Sequence, residues 1–187
     1  EGDYWHRFTR EHNHSLYNVD KIIIPMTARD TIATFINDKG LYMDNANVWF
    51  ITVKGASADL MKAITCIINS TLFTVLGKSG ANPQSGGYYK FNKQFLMPIP
   101  FPIEAVAEKA ECVLKLEKYY SKISELQEQY LSATLNTKEI IAGQLKQLWT
   151  ELDEICYDLY KVTGQEKQQI IGMGRTVSRI DLLNGVK

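Results

Sequence analysis

The sequence predicts a mixed α+β fold. A small mixed sheet with packed helices is expected over residues 1–102, and an antiparallel helical hairpin with a short third helix and a tail over 103–187. Three observations carry this. Short β-branched and aromatic runs crowd the front half, above all "VWFITVK" at Val48–Lys54. After Pro102 the apolar residues step by threes and fours, the period of amphipathic helices. Between the two regimes stands Pro98-Ile99-Pro100-Phe101-Pro102, which neither a helix nor a central strand accommodates.

Taken in order, "KIIIPM" (Lys21–Met26) is expected as a short buried strand, with Pro25 at an edge or exit. "TIATFI" (Thr31–Ile36), "NDKG" and "LYMDN" have the pattern of a hairpin around a glycine-containing turn. Val48–Lys54 is the strongest strand. Ser57 or Asp59 caps the next element. Leu60, Ile64, Ile67 or Ile68 and Leu72 then mark one helix that ends near Gly77. "GKSGANPQSGG" (Gly77–Gly87), with its glycines and Pro83, is expected as a long loop, a length that usually carries function. Tyr88 to Phe95 is expected to alternate between core and surface as a strand, and Met97–Pro102 to form the junction with the helices.

In the C-terminal part, Val106, Ala110, Val113, Leu116, Tyr120, Ile123, Leu126 and Tyr130 form one apolar stripe, interrupted at Ser132–Asn136. Ile141, Leu145, Leu148, Leu152, Ile155, Leu159 and Val162 form a stricter heptad seam. Two such helices joined by a short polar connection pack antiparallel. The seam closes either within one hairpin or between chains. Thr163-Gly164-Gln165-Glu166 has the spacing of a capping box and predicts a short third helix. From Gly172 onward the tail reads as irregular.

Composition narrows the functional classes. Lys plus Arg and Asp plus Glu number 21 each, so the chain is not a wholly basic nucleic-acid binder. The split is uneven, with ten basic against eight acidic residues in 1–102 and eleven against thirteen in 103–187. A phosphate-binding surface therefore belongs in the front part. No apolar run reaches the ~18 residues of a membrane span, and the polar start "EGDYWHRFTREHNH" lacks the apolar core of a signal peptide. The first residue is not Met, which points to a piece of a longer chain. Cys66, Cys112 and Cys156 are odd in number, far apart and without a C-x-x-C pair. They are expected as buried thiols of a cytoplasmic, reducing compartment.

Motifs for self-contained chemistry are missing. Gly77-Lys78-Ser79 imitates the end of a phosphate-binding loop, but the glycine required five residues earlier is Leu72. His6, His12 and His14 lie with Glu11 in the polar leader, without the fixed spacing of a zinc site. Asn69-Ser70-Thr71 matches a glycosylation pattern by chance, on an apolar helix. The acids of the C-terminal half fall on polar helix faces and read as solvated surface.

The segment after the first helix is richer. Lys78, Lys90 and Lys93 supply charge for phosphates. Ser79, Asn82 and Gln84 supply donors and acceptors, and Asn or Gln pairs bidentately with adenine in the major groove. Tyr88 and Tyr89 supply flat faces. Arg29 and Lys54 are further candidate phosphate contacts.

The succession "KIIIP", "FINDKGLYMDNANVWFITV", "LMKAITCIINSTL" and "GGYYKFNKQFLMPIPFP" resembles the TaqI-like C-terminal specificity (target-recognition) domain of adenine-specific DNA methyltransferases and fused type II restriction–modification enzymes. Lys21–Pro25 is similar to the family's opening strand. Asp38–Gly40 with Tyr42 is similar to its turn, Leu60–Leu72 to its "L-x-A-I-L-N-S" helix with Ile68 for the usual Leu, and Met97–Pro102 to its "L-P-I-P" exit. Leu152–Ile170 resembles the family's C-terminal ending.

The resemblance implies a module that holds duplex DNA and reads its bases for an upstream catalytic methyltransferase domain. Its cofactor, S-adenosylmethionine, belongs to that catalytic domain, so none is expected in these residues. The family's Asn/Asp-Pro-Pro-Tyr/Phe tetrapeptide is absent, since Asn82-Pro83 is followed by Gln84-Ser85. Two alternatives stand beside this expectation: a specificity half-subunit of a multi-subunit restriction system, and a non-DNA helical interaction module.

Overall fold

The structure, a computed structural model, describes residues 18–37, 41, 47–102, 105–106 and 110–185. It is an α+β fold with two small antiparallel sheets set among helices. The histidine cluster and the Asp38–Gly40 and Tyr42 turn lie outside the described residues.

The first sheet has the order β3-β1-β4, from β1 (Lys21–Pro25), β3 (Thr34–Ile36) and β4 (Val48–Ile51). Ile22 stands opposite both Phe35 and Ile51. Ile22 and Ile24 point into the core, as the period of a half-buried strand requires. Of the expected hairpin at Thr31–Asn45, Thr34–Ile36 is extended and pairs with β1, while its turn and the residues after Leu41 lie outside the described residues.

Ser57 caps α1 (Ala58–Ile68), its hydroxyl accepting from the Leu60 N–H. The apolar run does not continue as one helix to Gly77. It bends by 65° into α2 (Thr71–Gly80). Polar side chains cause the break. The Asn69 amide accepts from the N–H of Ala33 and donates to its carbonyl, both at 2.8 Å. Ser70 caps α2 by accepting from the Phe73 N–H, and Asp153 accepts from the Thr71 N–H and hydroxyl. No single helix among the described residues is long and apolar enough to cross a membrane, and the bent α1–α2 pair is core.

Helix α2 runs through Gly77, so the expected long loop loses its first four residues to a helix. A Cβ at Gly77 would lie 3.1 Å from Thr31 Cγ2 and 3.3 Å from the Phe91 ring. This glycine lets α2 approach the chain closely. The second sheet follows, in the order β2-β6-β5, from β2 (Thr27–Ala28), β5 (Asn82–Pro83) and β6 (Tyr89–Lys90). The expected strand Tyr88–Phe95 is only two residues long. Phe91 then buries completely, and α3 (Lys93–Leu96) turns the chain toward the prolines.

Helices α4 (Ala110–Ser132) and α5 (Leu135–Leu159) form the expected hairpin across Ala133–Thr134. At 25 residues α5 is ~37 Å long. The heptad seam closes inside the molecule: Ile141, Leu145 and Leu152 are buried, and Leu148, Ile155 and Leu159 pack against the same core. Helix α1 lies on α4, tied by a Lys62–Glu117 ion pair at 2.9 Å. Buried side chains from both sides of Pro102, among them Ile22, Ile64, Leu116 and Leu152, share one core. Cys66 and Cys156 are buried as expected and Cys112 is half-buried, none of them in a disulfide. Burial raises the pKa of Cys66, and that of Cys156 to about 12.

Thr163 and Glu166 complete their capping box at the start of α6 (Gly164–Met173). The tail is irregular over Gly174–Ser178 and helical on either side. Gly174–Ser178 forms a strap that leads into α7 (Arg179–Leu183), and the strap is held by buried polar contacts.

Candidate nucleic-acid interface

In the second sheet the register sets Thr27, Lys90 and Asn82 directly opposite one another across three strands, and all three are exposed. The alternate row turns inward at two of its three positions: Ala28 is buried and Tyr89 half-buried, its ring stacked on Phe91 at 6.2 Å, while Pro83 on the outer strand is exposed. Strand alternation therefore separates a structural row from a solvent row carrying a hydroxyl, an ammonium and an amide. With strands ~4.8 Å apart, the solvent row is roughly 10 Å wide.

The β5–β6 connection is compact. The Gln84 N–H donates to the Tyr88 carbonyl at 2.7 Å, and Ser85–Gly87 makes a single 3₁₀ turn between them. Gly86 and Gly87 hold φ of 72° and 77°, a region open to glycine and strained for other residues. Gln84 is exposed near this tip. Arg29 lies over the Tyr88 ring at 5.2 Å, flanking the sheet, and its Nε is buried without a hydrogen-bond partner. Exposed Lys93 opens α3, three residues after Lys90. Two ties anchor the sheet: the Phe91 N–H donates to the Met26 carbonyl at 2.8 Å, and Trp49 Nε1 donates to the Phe91 carbonyl at 2.9 Å.

The residues singled out from sequence thus separate in space. Asn82, Gln84, Tyr88, Lys90 and Arg29 meet at the second sheet, with Lys93 next in the chain. Tyr89 supports the sheet from beneath. Ser79 is exposed on α2, and its hydroxyl donates back to the Leu76 carbonyl. Lys54 is exposed in the turn after β4, at the opposite end of the first sheet. Lys78 points inward, paired with buried Asp30, 2.7 Å from Thr176 Oγ1 and 5.5 Å from the Tyr89 ring centre.

Asp30 is the hub of a clasp that sequence reasoning missed. Only 1% exposed, its carboxylate accepts from the N–H groups of Thr176 and Val177, both at 2.9 Å, and pairs with Lys78. Burial pushes the Asp30 carboxyl up. Lys78, the two N–H groups and Arg175 together outweigh burial and hold its pKa below the ordinary value. Arg175 donates to the carbonyls of Asn69 and Thr31 and to Thr74 Oγ1, at 3.0–3.1 Å. Arg179 pairs with Asp153 and donates to the Asn69 carbonyl at 2.9 Å. The clasp pins the strap to the bend between α1 and α2 and to the residues that follow β2.

One further charge feature belongs to the interface. Between Asp59 and Glu104 the chain has no acidic residue; of the lysines in that span, Lys90 and Lys93 are exposed at the sheet, while Lys62 pairs with Glu117 and Lys78 with Asp30. The one acid adjoining β2, Asp30, is buried and neutralised. The solvent row and its flanks thus present positive charge and amide groups without a carboxylate from their own segment. Comparison with protein-family models and with curated proteins finds no match for this chain.

Proposed function

We propose that the chain is a DNA sequence-recognition module of a site-specific adenine DNA methyltransferase or restriction–modification enzyme, which positions duplex DNA for a separate catalytic domain. The observation that carries this reading is the exposed row Thr27–Lys90–Asn82, flanked by Arg29 on Tyr88 and by Lys93. A short β-ribbon of this width fits the major groove, which is ~12 Å across. Lysine and arginine hold phosphates and set register, while Asn82 and Gln84 offer paired donors and acceptors to base edges. The heptad seam is spent inside the hairpin, so the rival helical interaction module would have to dock through another face, such as exposed Leu131, Leu135 and Ile140 around the hairpin turn.

The test is a fluorescence-anisotropy titration with duplex DNA at several salt concentrations. Three phosphate contacts, from Arg29, Lys90 and Lys93, give a slope of log K against log salt of about −2.7, so affinity falls about 40-fold from ~50 to ~200 mM. K90A and K93A should each lower the slope by about 0.9. N82A should leave the slope alone and reduce discrimination at one base pair by about 1–3 kcal/mol. Binding absent at ~50 mM salt, or unchanged in K90A/K93A, overturns the proposal.

A further inference from the structure

The clasp continues into one ionic cluster. Asp30, Lys78, Arg175, Arg179 and Asp153 have side chains only 1–15% exposed. Three cations face two carboxylates. The helix termini do not redress the balance. Both arginines donate to the Asn69 carbonyl at the negative end of α1, but α2 begins at Thr71, so its positive end meets the same point. Asp153 is further occupied by the Thr71 N–H and hydroxyl. Arg175 Nε is buried with no hydrogen-bond partner, 3.8 Å from Asp30 Oδ2. Burial, and Arg179 beside it, pull the Arg175 guanidinium to about 10, which leaves it charged at neutral pH. The cluster therefore holds one positive charge in excess.

Against this cluster lies a cleft of about 400 Å³, roofed by α7 and walled by α4 and α5. Arg175 and Arg179 form its cationic side, Ile123, Trp149 and Leu182 its apolar side, and Ser124 and Gln127 a polar lip on α4. The volume is that of a small-molecule site, and apolar walls with a few convergent polar groups are the usual composition of one. Arg179 already lies over the Trp149 ring at 5.6 Å, which places charge and apolar surface side by side.

We propose that this cleft binds a small organic anion, a carboxylate or phosphate monoester with an apolar body. The anion supplies the missing negative charge to Arg175 and Arg179, and the body fills the space between Ile123, Trp149 and Leu182. The cleft shares no residue with the exposed row Thr27–Lys90–Asn82, so the fate of this proposal is independent of the DNA reading.

The experiment titrates the chain with benzoate and phenyl phosphate, following tryptophan fluorescence and thermal midpoint, with benzamide as the neutral isostere and inorganic phosphate as the anion without a body. A saturable signal that is lost in Trp149→Phe, with affinity in the millimolar range or better, is expected for one or both organic anions. Benzamide and inorganic phosphate should each bind at least about tenfold more weakly, because each lacks one half of the recognition. Ser124→Leu fills the cleft without touching the ionic cluster and should weaken binding at least about tenfold. Gln127→Trp makes the same test should the first variant not fold. No saturable change with either organic anion up to about 10 mM, equal affinity for benzamide, or undiminished binding in a folded cleft-filling variant overturns the proposal.

Discussion

Replacing Asp30 with asparagine tests the clasp directly. The carboxylate has two oxygens, each accepting a backbone N–H at 2.9 Å, and the same group pairs with Lys78 and faces Arg175. Asparagine keeps one acceptor oxygen and sets an NH₂ against the other N–H. It also leaves two buried cations without their shared counter-ion. Removing one partner of a buried ion pair costs about 3–5 kcal/mol, a large part of a typical domain's total of about 5–15 kcal/mol. For a chain of this size the thermal midpoint should drop by about 6–20 °C. K78M leaves Asp30 its two N–H bonds and Arg175, and should cost less, about 1–3 kcal/mol. On the D30N background K78M should cost about 1 kcal/mol less than it does alone, because its partner is already lost.

The pH dependence has a definite sign. The folded-state pKa of Asp30 lies below its ordinary 3.8, so the unfolded chain binds the proton more readily. The carboxylate's stabilisation is complete above 3.8 and is lost as pH falls below it through the folded value. Urea titrations of wild type and D30N should therefore differ by a constant amount from neutral pH down to about 4 and converge below that. A difference under about 1 kcal/mol at neutral pH, or one that does not shrink in acid, would refute the clasp as a stabilising device.

Two further outcomes test the local readings. Gly77→Val places branched carbons where even a Cβ meets Thr31 Cγ2 at 3.1 Å, and should destabilise by about 1–3 kcal/mol in urea denaturation despite valine's better helix propensity. Thr163→Ala removes the hydroxyl arm of the Thr163–Glu166 box and leaves the backbone N–H of residue 163 to the Glu166 carboxylate; it should cost about 1 kcal/mol, with amide exchange of Gly164–Lys167 accelerated and the α4–α5 hairpin unaffected.

What the sequence made legible was local. β-branched runs marked β1 and β4, three-and-four spacing marked α4 and α5, and Ser57 and Thr163 marked helix starts, because each signal lies within a few residues of its consequence. The bend at Asn69–Ser70 was hidden, since the apolar period runs through it. Its cause is Asn69 bonding to Ala33, which lies 36 residues away. Gly77 read as a helix stop because its real role, letting α2 approach Phe91 and Thr31, exists only in the folded chain. The long loop concealed a hairpin whose signal was available: Gly86-Gly87 is a turn-forming pair between two short extended segments. Asp153 was read as solvated helix surface, yet it caps α2 and pairs with Arg179. Arg175 and Arg179 carried no sequence signal, because their contacts with Asn69 span 106 and 110 residues.

The run Thr27–Thr31 joins the interface to the clasp. Thr27 stands in the exposed row, Ala28 packs beneath it, Arg29 lies on Tyr88, Asp30 holds the strap, and the Thr31 hydroxyl bonds the Ile68 carbonyl and Thr74. Five consecutive residues commit their side chains to five different surroundings, three of them buried. A shift of β2 that moved Thr27 relative to Lys90 would pull Asp30 from the Thr176 and Val177 N–H groups and break the Thr31–Thr74 contact. The cost of breaking the clasp thus also opposes displacement of the exposed row. This explains how a sheet of two-residue strands, which is marginal alone, is held as a fixed surface by charges that are largely buried.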